Sequence, residues 1–265
     1  MKKILLLPLF ALLLACNSNQ KNNAVTTKSV TPEKEITAKN NSAIDSSSYE
    51  ISVYDNPKLT SQLARHKESL KLLADKNIFE EIHKKLLSKL TEQQQSYFNA
   101  NPNYNILSVT KGNLFKKNDN DCAFLLYDKK NIKTSILIYN DQTKKYAILY
   151  KDLKVKNDLK NSDCYNANFG TLDYVVADEW LVSSEDALLK STEYYLESAP
   201  IKITDLSKDE NFALSDGCFA KKHSKTNVAN SLCVSTSSVY NNWDCLQYDD
   251  VTNTFTVFYS QAFAD

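Results

Sequence analysis

Several groupings of side chains along this 265-residue chain have the residue types and spacing that chemistry uses. Glu80 and His83 stand one helical turn apart, the carboxylate–imidazole spacing that di-metal bundles use on two helices. Here the motif occurs once and Glu80 also holds a capping position, so a packing or surface role for Glu80, His83 and the nearby His66 outweighs a metal role. Cys218, His223 and Cys233 form the one close Cys/His cluster. Structural zinc favours four ligands with tight pairs such as Cys-x-x-Cys, which the cluster lacks, and a nucleophilic cysteine needs a perturbed thiolate beside an oriented base. Asn118-Asp119-Asn120-Asp121 distantly resembles an acidic calcium loop, yet Cys122 stands where such a loop needs the glycine of its sharp turn, so a solvated turn is expected. Asp173, Asp178 and Glu179 beside Trp180 supply paired carboxylates and an aromatic platform, the residue types of glycan hydrolysis, but separation in space decides that chemistry. No catalytic residue, metal ligand or cofactor is assigned.

Composition removes other classes. The three glycines, Gly112, Gly170 and Gly217, lie 58 and 47 positions apart. Dinucleotide fingerprints, phosphate loops of the Walker type and Gly-x-Ser-x-Gly elbows all need close-set glycines, so these motifs are absent. Among the 32 basic residues only Arg65 is an arginine, the residue suited to bidentate recognition of phosphate and guanine. With basic and acidic residues balanced at 32 each, no global field draws polyanions, and nucleic acid is not an expected partner.

The N-terminal residues carry the clearest signal. Lys2 and Lys3 precede an apolar run from Ile4 to Ala15, the charged head and short apolar centre of a secretory signal. The run is shorter than the roughly 20 residues a membrane-spanning helix requires. Leu13-Leu14-Ala15-Cys16 then resembles the lipobox of bacterial lipoproteins. That resemblance implies that residues 1–15 are a cleaved signal peptide and that the Cys16 thiol receives a diacylglycerol, with acylation of the new amino terminus. Two or three acyl chains, at about 0.8 kcal/mol per buried methylene, give firm anchoring. Asn17 follows the cysteine in place of the aspartate that favours inner-membrane retention in this class, and no acidic cluster follows, so the expected address is the outer membrane with the protein facing the periplasm.

An exported chain can form disulfides, and five cysteines remain besides Cys16: Cys122, Cys164, Cys218, Cys233 and Cys245. Three of them, Cys218, Cys233 and Cys245, fall close together, so one bridge is expected there. The odd number leaves one thiol over.

These groups have to be positioned by elements. Residues 16–48 lack aromatics and are rich in Asn, Ser, Thr and Lys, a composition that cannot bury enough apolar surface to order itself, so they read as a tether reaching about 30 Å. Residues 49–265 read as one globular domain. Asn56-Pro57 offers a helix start, with the helix continuing to about Asp75; Asn77 with Glu80 reads as a capping box for a second helix carrying Ile82, Leu86 and Leu90. Strands are expected over Tyr104 to Thr110, Cys122 to Tyr127, Ile132 to Tyr139 and Tyr146 to Asp152, whose short polar connections imply an antiparallel meander. A strand at Leu172 to Ala177, a helix at Ser184 to Glu197, strands at Cys218 to Lys221 and Ser231 to Ser235, and a hairpin of Asp244 to Tyr248 with Thr254 to Ser260 complete the reading. The fold class is α+β: an N-terminal amphipathic helix pair and one later helix on a mainly antiparallel sheet.

Most of the abundant aromatics, including Tyr248, Phe255, Phe258 and Tyr259, alternate along strands as core residues do; Tyr194-Tyr195 fall on a helix. Tyr240 and Trp243, in the segment Ser237 to Trp243 read as a loop, are the candidates for a binding surface. An anchor, a tether and a domain without a catalytic kit point to a non-enzymatic binding lipoprotein that meets a periplasmic protein or the cell wall, for instance an immunity protein or inhibitor of an envelope hydrolase. A divergent cell-wall hydrolase and an accessory subunit of an envelope assembly are the alternatives.

Overall fold

The structure is a computed structural model that describes residues 60–117, 120–157, 191–197, 200–208, 218–219, 228–235 and 243–261. Cys16, the tether and the Asn56-Pro57 helix start lie outside the described residues, as do Cys164, Asp173 to Trp180, His223 and Tyr240.

The first described elements are helices α1 (Thr60–Asp75), α2 (Ile78–Leu87) and α3 (Glu92–Ala100). Between α1 and α2, Asn77 adopts a left-handed conformation, φ 61° and ψ 9°, and makes no side-chain cap. Asn tolerates this region where most residues do not, and a left-handed residue just past a helix end is a common stop signal. Asn77 therefore terminates α1 as α2 begins, and the expected capping box with Glu80 does not form. The capping box that does form lies at α3: Thr91 Oγ1 accepts from the Gln94 amide while Gln94 Oε1 accepts from the Thr91 amide.

The meander is as expected. Strands β1 (Tyr104–Gly112), β2 (Asp121–Asp128), β3 (Lys133–Asn140) and β4 (Lys145–Ile148) pair in the order β1-β2-β3-β4, each antiparallel to its neighbour. Every residue of β2 is buried, as a central strand covered on both faces requires. The fourth strand is shorter than the expected Tyr146 to Asp152. Asp152 accepts from the Ile148 amide at 2.8 Å and Tyr150 turns left-handed at φ 69°, which bends the chain out of the sheet.

Five further strands form a second sheet with order β5-β10-β9-β8-β6: β5 (Val155–Asn157), β6 (Ile201–Thr204), β8 (Ser231–Ser235), β9 (Trp243–Asp249) and β10 (Thr254–Gln261); β7 (Cys218–Phe219) also pairs with β10. All these pairings are antiparallel except β5 with β10. Helix α4 (Thr192–Glu197) falls in the C-terminal part of the helix expected over Ser184 to Glu197, and Ser191 just before it is not helical.

Helix α2 lies on β1 through Ile78, Phe79, Ile82 and Leu86, all buried, and Phe79 packs 4.7 Å from the ring of Tyr127 on β2. Helix α4 braces α2 from outside, through Thr192 to Glu81 and Lys85 to Glu193. One core runs from these helices through the first sheet into Leu232, Leu246, Phe255 and Val257 of the second. A smaller cluster holds Leu206, Val228, Phe258 and Tyr259 around the Cys233–Cys245 disulfide, which joins directly paired residues of β8 and β9.

Candidate functional site

A cavity of about 720 Å³ opens where the turn before α3 meets the far end of the meander. Its position follows from how α3 is pinned. Phe98 is buried edge-on against Phe124 at 5.2 Å, and Tyr97 stacks on Tyr146 of β4 at 3.7 Å. These contacts hold the helix across the sheet, so that its first turn, Thr91 to Gln94, forms one wall of the cavity. Lys89 and Leu90 lie beside that turn; Val109 and Lys111 of β1, Cys122 of β2, Tyr139 of β3 and Asp141 and Lys144 of the following turn supply the rest, with Asn120.

Asp121 fixes the opposite wall. Its carboxylate is 1% exposed, with Oδ2 accepting from the amides of Leu114 and Phe115 at 3.0 Å each and Oδ1 accepting from the amide of Asp141 at 2.9 Å. The loop after β1 and the turn after β3 are thereby tied to one buried group. This corrects the expectation of a solvated acidic turn: Asp121 faces inward and its oxygens are engaged by backbone amides, which removes it as a calcium ligand, while Asn118 and Asp119 lie outside the described residues.

On the floor, Gln94 Nε2 donates to Cys122 Sγ at 3.3 Å. Cys122 is a buried free cysteine, and burial pushes its thiol above the ordinary range. The Tyr139 hydroxyl sits 3.3 Å from Gln93 Oε1 and 3.2 Å from Asp141 Oδ1, so its single hydrogen serves one of the two at a time. Burial raises its pKa. Lys144 Nζ donates to Asp141 Oδ1 at 2.6 Å, and this bond lowers the pKa of the carboxyl and raises that of the ammonium.

The groups singled out from the sequence lie elsewhere. Glu80 pairs with Lys129 at 3.0 Å on the surface, and His83 Nδ1 accepts from the Ile106 amide at 3.1 Å. That amide lies at the bulge between Ile106 and Ser108, where β1 departs from regular pairing with β2. Desolvation lowers the His83 pKa and keeps the ring in the neutral form this bond needs. Both residues have structural partners, and no group of three or more His, Cys, Asp or Glu able to hold a metal occurs among the described residues. Trp243 is not in a loop: it opens β9, pairs with Gln261 and packs half-buried against the cluster around the disulfide. Of the three cysteines expected to supply a bridge, Cys233 and Cys245 form it and Cys218 begins β7.

The cavity is not legible in the sequence, because its lining comes from four separate stretches of chain. One local signal was available: Thr91-x-x-Gln94 just before the aromatic pair Tyr97-Phe98 marks the start of a short packed helix. No family model matches the chain, and no curated protein or solved structure matches it.

Proposed function

We propose that this chain is a lipid-anchored binding module of the cell envelope, tied to the outer membrane through Cys16 and presenting its domain to a periplasmic protein or cell-wall partner. The observation that supports a binding role is the geometry of the cavity lining, in which the polar groups already engage one another: Lys144 Nζ donates to Asp141 Oδ1, the Tyr139 hydroxyl lies within hydrogen-bond distance of Gln93 and Asp141, and Gln94 Nε2 donates to Cys122 Sγ. Among the described residues no helix is long and apolar enough to cross a membrane.

The test is affinity purification of the acylated protein from its own envelope after mild crosslinking. A stoichiometric partner supports the reading; the absence of any partner together with cleavage of isolated muropeptides overturns it in favour of a hydrolase. For the anchor, Cys16→Ser is expected to move the protein from the membrane to the soluble fraction. A variant that stays wholly with the membranes contradicts lipidation.

A further inference from the structure

We propose that His83 is an acid-operated latch on strand β1: neutral, its ring pins the bulge of that strand to helix α2, and protonated, it lets the bulge go while the rest of the fold holds. The geometry is that of one acceptor on one backbone donor. His83 Nδ1 accepts from the Ile106 amide at 3.1 Å, and the pairing of β1 with β2 shifts register between Ile106 and Ser108. An imidazolium carries N–H on both nitrogens and accepts at neither, so no flip of the ring restores the bond once the second proton binds. Two donors then face each other, and ring and strand part.

The surroundings of the ring set where this happens. His83 is half-buried on α2, the helix that packs on β1, and desolvation holds its pKa below the ordinary value near 6.5. Glu80, one turn earlier on α2, pulls the value up, and Lys129, in the turn after β2, pushes it down; the two are paired with each other at 3.0 Å, so their effects on the ring oppose. Helix α3 presents the ring of Phe98, edge-on at 6.3 Å. The charges that α4 and α1 bring to this side are engaged elsewhere, Glu193 with Lys85 and Asp75 with Lys71. The latch is therefore closed above about pH 6.5 and opens as pH falls through the lower, folded value.

Release at this point reaches the cavity. Bulges re-aim the side chains beside them, and Val109 and Lys111, which follow the bulge on β1, line the cavity. Phe98 belongs to the helix whose first turn forms another wall. Acid thus reshapes the cavity without unfolding the domain, a property of the fold that stands whether or not a partner binds there.

The test is hydrogen–deuterium exchange of the detergent-solubilised full chain at pH 7.5 and pH 5.0, corrected for the intrinsic effect of pH and read by mass spectrometry on residues 104–110 and on β2. In the wild type, residues 104–110 are expected to lose protection about tenfold at the lower pH while β2 keeps its own, the signature of a local opening. His83→Gln, whose side-chain oxygen accepts at either pH, is expected to stay protected at both, and His83→Phe, which has no acceptor, to be unprotected at both. Equal protection of residues 104–110 at the two pH values in the wild type, or a loss at pH 5.0 that persists in His83→Gln, overturns the latch. A loss shared equally by β2 overturns it too, because that is unfolding of the sheet rather than release of one strand.

Discussion

A carboxylate at 1% exposure is tolerated only when its oxygens are engaged, and Asp121 engages three backbone amides from two separate turns. Asp121→Ala leaves those amides buried without their acceptor and is expected to lower stability by about 3 kcal/mol, read from urea unfolding. A loss under about 1 kcal/mol would mean that water replaces the carboxylate. His83 sets a second residue-scale test. Its folded pKa is depressed, so its contribution to stability is full above the unfolded value near 6.5 and is lost as pH falls through the folded value. Stability is therefore expected to drop between pH 7.5 and 5, and His83→Gln to flatten that part of the profile; an identical slope in the variant contradicts the assignment. Neither role was legible in the sequence. Asp121 reads as one more acid in a polar turn, and Glu80-x-x-His83 reads as a helical pair, because the backbone amides that occupy them belong to segments distant along the chain.

The legible elements are those whose pattern is local. The strands of the meander carry dense Ile, Leu and Tyr between polar turns, and they lie close to where that enrichment and those turns put them. Helix α3 escapes because EQQQSYFNA is short and polar on most faces, with only its cap and aromatic pair to mark it. Strands β5 and β6 escape for another reason: with three and four residues they are specified by their pairing partners, and β5 pairs in parallel with β10, which lies far along the chain. The edge-to-edge approach of β1 and β6 is equally non-local. There Thr110 Oγ1 accepts from the Ile203 amide at 3.0 Å, and a Cβ built on Gly112 would stand 2.6 Å from Ile203 Cγ2. Gly112→Ala is thus expected to cost about 1 to 3 kcal/mol, and Ile203→Ala in the same chain to recover part of it in a double-mutant cycle. Strict additivity of the two changes would show that the strands do not meet in this way.

For the whole molecule, the helices brace the meander, the meander's first strand meets the second sheet, and a disulfide closes that sheet's hairpin region. The cavity lies at the opposite end of β1 from Tyr104, lined by parts that only the assembled fold brings together. The cavity is not legible in the sequence because Lys89, Lys111, Tyr139 and Asp141 become neighbours only through folding. The central proposal is that the domain holds a partner at that cavity. It is tested most directly by placing a photocrosslinking amino acid at Gln93 in the lipidated chain and irradiating cells that carry it. A discrete adduct from position 93, absent when the probe is placed at Lys71 on α1, is the predicted result. No adduct from position 93, or equal labelling from both positions, would contradict the account.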